Sequence, residues 1–424
     1  MFYSKSTNDL TSANNFAQSK LSRNLIMIWL IGMLLLSPVK LFTFRFNMEI
    51  MDFWILMAMP LFLLLYVTNR QIVVSWVYTP VMLIILVCSF ASTFVAPSPS
   101  SSFIVIAKEI YVFIWFITVT MLLCGLNRHD VRRILIVWNR VVFLHSLLIV
   151  AQFFSPELWK FFVSFTRDVG NVGNYRCPGL FTNANAAAFF QVMGFVPLVL
   201  AKESRLVSLV LGILLFISIL CTGSMGALLA LFSGGITAVF AIVLLSKNQA
   251  AVSKYFVTSL FAIMFLTGLF SFVISQDEDY QNHLNNIIIE RAERSSGGRF
   301  YLWQRGMDAI TDYGHVFWGI GPENFREVDG REKQLHNDFI AFSVERGLMS
   351  TIALVLFGVI AVSRAIHYFK IASERVRLKA AIFIAAISAI LVESLTHQIF
   401  HTRELWLVLA LQEAMIFHTK FNRY

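Results

Sequence analysis

Stretches of about 20 apolar residues recur along this chain, and no other property constrains its fold so tightly. A bilayer core about 30 Å thick takes roughly that many residues per helix to cross. Lipid offers no hydrogen bonds to a backbone, so each stretch must close its own as a helix. Of the residues, 57% are hydrophobic and 14% are charged. Soluble domains carry about a quarter charged residues. The sequence therefore predicts an all-α, polytopic membrane protein and excludes a soluble globular enzyme. Twelve spans are expected, near 24–44, 52–68, 74–95, 103–125, 134–154, 180–200, 206–222, 225–245, 255–275, 339–363, 380–397 and 404–419. Residues 1–424 read as a single transmembrane domain.

The net charge of +9 follows the same frame. Lys5, Lys20 and Arg23 precede the first expected span, and Arg70 follows the second. Arg128, Arg132 and Arg133 follow the fourth, Lys202 and Arg205 the sixth, and Lys247 and Lys254 the eighth. Arg364, Lys370, Arg375, Arg377 and Lys379 follow the tenth, and Lys420 and Arg423 the twelfth. Every second connection is basic, which is the pattern of cytoplasmic loops. Both termini are then expected in the cytoplasm of a multi-pass inner-membrane protein. The basic charge is spent on topology, and no nucleic-acid motif accompanies it, so nucleic acid is excluded as a partner.

The first 23 residues are polar and hold no apolar signal core, so the first span is expected to act as an uncleaved insertion signal. Cys88, Cys124, Cys177 and Cys221 form no CxxC pair and read as small apolar residues of the membrane. No HxH or HExxH spacing occurs, and neither a metal nor a cofactor is expected.

Two longer connections fall on the outer side, at 155–178 and 276–338. Within the second, Arg291, Arg294, Arg299 and Arg305 crowd together. Residues 287–294 read as a helix with Arg291 and Arg294 on one face, broken by Gly297 and Gly298. A second helix is then expected from Arg299 to about Thr311, with Trp303, Met307 and Ile310 as its apolar stripe. Free N–H groups beside a guanidinium at such a helix start suit an anion, phosphate above all. A solvated surface arginine is the competing reading. The glycines of Trp318-Gly319-Ile320-Gly321-Pro322 are expected to turn the chain back towards the membrane. His336 precedes the tenth span, where an imidazole can take a hydroxyl proton near neutral pH or simply hydrogen-bond the loop. Asn337 and Asp338 are placed to cap the next helix.

In the smaller loop, Arg176 can hold an anion or snorkel to the lipid surface, and Asn183 and Asn185 enter an apolar helix where polar groups need partners. Lys108, Glu109 and Arg140 lie inside expected spans, as a functional group or as pairs that lock the bundle. Glu393, His397, His401, Arg403 and Glu404 gather at the turn before the last span.

One pattern ties the two loops together. Arg299, Trp303, Gly306, Gly319, Gly321, Phe325, His336-Asn337, Glu345 and Gly347 resemble the O-antigen ligase and polymerase superfamily. Arg176-x-x-Gly179-Leu180-Phe181-Thr182-Asn183-x-Asn185 resembles its earlier arginine loop. The resemblance covers about residues 170–350. It implies a membrane-embedded glycosyltransferase of the C-type, metal-independent and inverting. The implied donor is a glycan on undecaprenyl diphosphate. A ligase passes it to lipid A-core, and a polymerase passes it to a second lipid-linked repeat of O-antigen or exopolysaccharide. In that scheme Arg299, with Arg176, Arg291 and Arg294, binds the diphosphate, and His336 deprotonates the acceptor. Asn183, Asn185, Asn337 and Glu345 support the site. Membrane lipid, the glycan acceptor and a chain-length regulator are the further expected partners. One departure stands out: the family's Ser-Arg-Gly reads Ser224-Met225-Gly226 here, which favours a polymerase over a ligase. A lipid-linked glycan transporter and a non-catalytic assembly scaffold are the competing functions. A transporter should show repeat symmetry and broken helices around a midplane site.

Overall fold

The computed structural model describes residues 20–39, 52–56, 76–163, 176–245, 291–313, 316–330 and 334–421. The expected span at 255–275 and the segment 276–290 lie outside them, as does most of the expected span at 52–68. The first helices are α1 (Lys20–Leu36), α2 (Thr79–Thr93), α3 (Pro99–Gly125), α4 (Arg128–Phe154) and the short α5 (Pro156–Val163). Then come α6 (Ala184–Met193), α7 (Phe195–Leu200), α8 (Arg205–Thr222) and α9 (Met225–Leu245). The long polar stretch holds α10 (Arg291–Tyr313) and α11 (Phe325–Asp329). Last are α12 (Asp338–Arg346), α13 (Leu348–Ile371), α14 (Glu374–Thr396) and α15 (Arg403–Phe421).

Among the described residues, seven helices are long and apolar enough to cross a bilayer. They are Trp76–Thr93, Pro99–Gly125, Arg128–Phe154, Arg205–Thr222, Met225–Leu244, Leu348–Ile371 and Lys379–Thr396. Arg23–Leu36 and Ala184–Leu200 are apolar but shorter. The expected last span is a helix, α15, which carries Glu404, Glu413 and Lys420 and is not among the seven. It is instead central to the packing. Trp406 lies within 5.3–5.5 Å, ring to ring, of Phe116, Phe357 and Phe400, and all four are buried. Rings at these spacings add attraction beyond the area they bury.

The expected tenth span starts later than the sequence suggests. Gly347 (φ +80) ends α12, and a Cβ there would stand 2.0 Å from the Phe317 oxygen. Only glycine allows that approach. α12, with its charged Asp338, Glu345 and Arg346, is thus separate from the span that follows.

Contacts sort the connections onto two ends of the bundle. At one end the Arg132 Nε donates to the Ala201 carbonyl at 2.9 Å, and Arg128 donates to the His418 carbonyl at 2.9 Å. At the other, the buried Asn324 of the long polar stretch accepts from the Ser98 N–H at 2.6 Å and donates to Ser102 Oγ at 2.8 Å. This second end carries the candidate site.

Candidate active site

α10 corrects one expectation. Gly297 and Gly298 do not break it; the helix runs through them from Arg291 to Tyr313. Each interior glycine costs about 1 kcal/mol against alanine. Packing offsets that: Leu302, Ala309 and Ile310 are buried in a small core with Ile320, Phe325, Leu335 and Val344. Gly306 faces Leu335 and Val344, while Met307, expected in the apolar stripe, is exposed. Arg299 is therefore not at a helix start, and no free N–H groups stand beside it. It sits mid-helix and half-buried. Burial lowers its pKa, and the carboxylate of Glu393 pulls the other way. Arg291 and Arg294 open the same helix, with side chains outside the described residues.

The Trp303 indole donates to the Leu335 carbonyl at 2.9 Å and so ties α10 to the segment before α12. There His336 adopts φ +51, the left-handed region that non-glycine residues rarely occupy. Such strain persists only where surrounding contacts enforce it, and it clusters at functional sites. Asn337 supplies them on one side: its Oδ1 caps α12 by accepting from the Ile340 N–H at 3.0 Å, and its Nδ2 donates to the Leu395 carbonyl at 3.0 Å. Asp338 accepts from the Ile399 N–H at 3.0 Å, and burial pushes its carboxyl up to about 7.

These bonds seat His336 against the end of α14. Its ring lies 6.2 Å from that of His397, centroid to centroid, at an interplanar angle of 84°. His397 Nδ1 stands 2.6 Å from Glu393 Oε1, one helical turn back. His336 thus faces a carboxylate–imidazole pair whose carboxylate also acts electrostatically on Arg299.

The smaller loop reaches the same region. Arg176 donates through Nε to the Thr222 carbonyl at 3.0 Å and through its guanidinium to Asn185 Oδ1. Asn183 is the exposed cap of α6, accepting from the Asn185 N–H at 2.7 Å. Thr222 leads through Ser224 to Met225 and Gly226, and a Cβ on Gly226 would meet Thr396 Oγ1 at 2.4 Å and His397 Cε1 at 3.0 Å. The position of the family's missing arginine therefore adjoins the pair.

Glu345 belongs to a different cluster. It lies 3.2 Å from the Arg346 guanidinium, which also holds Glu109 at 2.8 Å and Ser89 Oγ at 3.1 Å. His401 Nε2 is 3.6 Å from Glu109. Burial pushes the Glu345 carboxyl up to about 7 against the pull of Arg346. Burial disfavours the charge on Arg346, and its two glutamates more than restore it, leaving its pKa raised. Glu109 therefore does not pair with Lys108 or Arg140; Arg140 instead meets Glu203 at 3.3 Å. Arg346 escaped the sequence reading, although it lies between Glu345 and Gly347. The signal available was Glu109, since a carboxylate inside a span demands a cation.

Residues 210–355 match the family model of O-antigen ligase. Over this segment the chain is similar to the O-antigen ligase and polymerase superfamily. It includes Met225, Arg299, His336, Asn337 and Glu345 and stops short of Glu393 and His397. Glycan transfer of the ligase or polymerase type is the activity that goes with the superfamily, in a bacterial membrane. No curated protein matches the chain. Among the described residues, no group of three His, Cys, Asp or Glu could hold a metal ion.

Proposed function

We propose that this protein is an inverting, metal-independent glycosyltransferase that polymerises lipid-linked repeat units at the periplasmic face of the inner membrane. One observation carries the reading: His336 faces the Glu393–His397 pair, and the Glu393 carboxylate acts electrostatically on the half-buried Arg299. A half-buried guanidinium near an imidazole is what transfer from a diphosphate carrier needs. The guanidinium binds the diphosphate in two-pronged fashion and stabilises the charge that grows on it as it leaves. The imidazole takes the proton of the attacking hydroxyl. Attack from the side opposite the diphosphate inverts the sugar carbon. Arg176, held by Asn185 and Thr222 at the same end, is the second diphosphate ligand, with Arg291 and Arg294 at the head of α10.

The donor is a glycan on undecaprenyl diphosphate, whose isoprenoid lies in the lipid beside the bundle. At the site end an apolar cleft of about 550 Å³ runs between α2 and α3, lined by Val87, Phe90, Phe94, Ile106 and Trp318. It suits such a chain. In this topology 155–178 and 276–338 are periplasmic, both termini are cytoplasmic, and a chain-length regulator is the expected protein partner.

Met225 favours the polymerase, while the matched family's description favours a ligase that delivers the glycan to lipid A-core. A deletion strain separates them. In the polymerase case single lipid-linked repeats accumulate and long chains vanish. Long chains that still form on the carrier but never reach lipid A-core would establish the ligase. Unchanged polymer and glycolipid would reject both.

A further inference from the structure

We infer that Glu393 and His397 are positioning residues, a carboxylate–imidazole pair that orients His336 and stabilises the positive charge it acquires. The inference rests on the glycosyltransferase reading above and adds two residues outside the matched segment.

Geometry is the first argument. Glu393 is fully buried, and His397 is 7% exposed. His397 Nδ1 stands 2.6 Å from Glu393 Oε1 and 3.1 Å from Thr396 Oγ1. Among the described residues, His397 Nε2 has no hydrogen-bond partner, and neither carboxylate oxygen of Glu393 accepts a hydrogen bond, so the 2.6 Å approach is a charge contact. Buried polar atoms are seldom left in that state without a reason. A pair that served only to end α14 would not need a carboxylate, because the His397 N–H already donates to the Glu393 carbonyl at 2.8 Å.

Charge is the second argument. The acceptor O–H bond breaks and its proton goes to a ring nitrogen of His336. The freed oxygen pair forms the new bond to the sugar carbon. The bond from that carbon to the phosphate oxygen breaks, and its electrons leave with the diphosphate. His336 thereby becomes a cation in a half-buried place. Among the described residues, the charged and titratable groups placed about it are Glu393 and His397 on α14, Arg299 on α10 and Asp338 on α12. Glu393 is the carboxylate paired with the imidazole that faces His336. Glu393 is therefore one ring removed from His336, and its negative charge favours the imidazolium through space.

The test uses the full-length protein in nanodiscs, with a lipid-linked oligosaccharide as donor and acceptor. Turnover is followed against pH for wild type, His336→Asn, Glu393→Gln and His397→Gln. Loss of an acid–base partner usually costs about 10²–10⁴-fold, and the two positioning variants should lose part of that, about 10- to 10²-fold in kcat with KM unchanged. The acidic limb of the Glu393→Gln profile should also move to lower pH, because a neutral amide no longer favours an imidazolium. If His336→Asn is inactive while both variants keep wild-type kcat and acidic limb, the inference is overturned and the function stands. If His336→Asn is fully active, the function itself falls. Should Glu393→Gln not accumulate, the double variant Glu393→Gln/His397→Gln leaves no unpaired charge. It should show the same loss, and wild-type turnover from it would equally overturn the inference.

Discussion

Arg346 reaches across the bundle to Glu109, with Nη2 2.8 Å and Nε 3.0 Å from the same carboxylate oxygen. The two residues are 237 positions apart, and both are buried. The bond fixes α12, and with it the His336–Asn337 corner, to a membrane span. It lies under the candidate site without belonging to it, which makes it a foundation whose loss is felt as stability.

Removing one partner of such a pair strands the other charge, at a cost of about 3–5 kcal/mol. Arg346→Met should therefore lower the thermal midpoint of the purified protein sharply. Arg346→Met/Glu109→Gln leaves only Glu345 without its cation, a carboxyl that burial already pushes towards the neutral form, and should recover most of the loss. A double variant as unstable as the single would show that the pair does not act as a unit.

Glu345 gives stability a pH dependence of definite sign. Its carboxyl is raised from 4.5 to about 7 in the fold, so the folded protein binds this proton more tightly than the unfolded chain. The protonated form contributes fully below about 4.5, and the contribution is lost as pH rises through about 7. One pKa unit is worth about 1.4 kcal/mol, so the loss is roughly 3 kcal/mol. Thermal midpoints should fall less between pH 5 and about 7.5 for Glu345→Gln than for wild type. Parallel curves for the two proteins would remove Glu345 from the account.

Much of this was legible in the sequence, and the gaps have physical causes. Seven of the twelve expected spans are long apolar helices among the described residues, and they were visible because apolar runs need no partner to be recognised. The Asn337 cap was visible because capping is local. The kinship of Arg176 with Asn185 showed in one short motif. The continuous α10 was hidden, because Gly297 and Gly298 are tolerated only through the distant contacts of Leu302 and Ile310. Arg346–Glu109 and His336–His397 were hidden for the same reason: each joins residues whose proximity depends on how the helices pack.

Gly226 should prove sensitive out of proportion to its size. Alanine would gain about 1 kcal/mol of helix propensity. Its Cβ would also meet Thr396 Oγ1 at 2.4 Å and His397 Cε1 at 3.0 Å. Overpacking of this kind costs about 1–3 kcal/mol, so the net change in stability is small. Displacement of His397 should still lower turnover several-fold. Full activity in Gly226→Ala would mean that the exact seat of His397 is immaterial.

His336→Asn and Arg299→Lys test the two reacting roles. Asparagine tolerates the left-handed backbone at 336, so the fold should persist while turnover falls by about 10²-fold or more. Lysine keeps the charge at 299 but loses the two-pronged contact, and charged hydrogen bonds are worth about 1.5–3 kcal/mol each. Donor affinity should therefore fall about 10- to 10²-fold, read as binding of an undecaprenyl diphosphate analogue. Wild-type turnover in the first or wild-type affinity in the second would withdraw the role concerned.

Met225→Arg addresses the choice between polymerase and ligase. Met225 is 40% exposed and opens α9, next to the glycine that packs on His397. A long side chain there has room to leave the bundle surface and swing towards the diphosphate side of the site. If the donor lies as the resemblance implies, a guanidinium at 225 adds a charged contact that this chain lacks. Binding of the diphosphate analogue should then tighten by about tenfold, the equivalent of about 1.4 kcal/mol. Tighter binding would mean that the donor site is shared with ligases and that this chain manages with one arginine fewer. Affinity unchanged or weakened would mean that the diphosphate sits away from the head of α9, held by Arg299 and Arg176 alone. Product analysis of the same variant completes the test: lipid-linked polymer should remain its product, because a change in donor grip does not alter which acceptor the site admits. Transfer to lipid A-core by Met225→Arg, absent in wild type, would show that this single position sets the acceptor and would overturn the polymerase assignment.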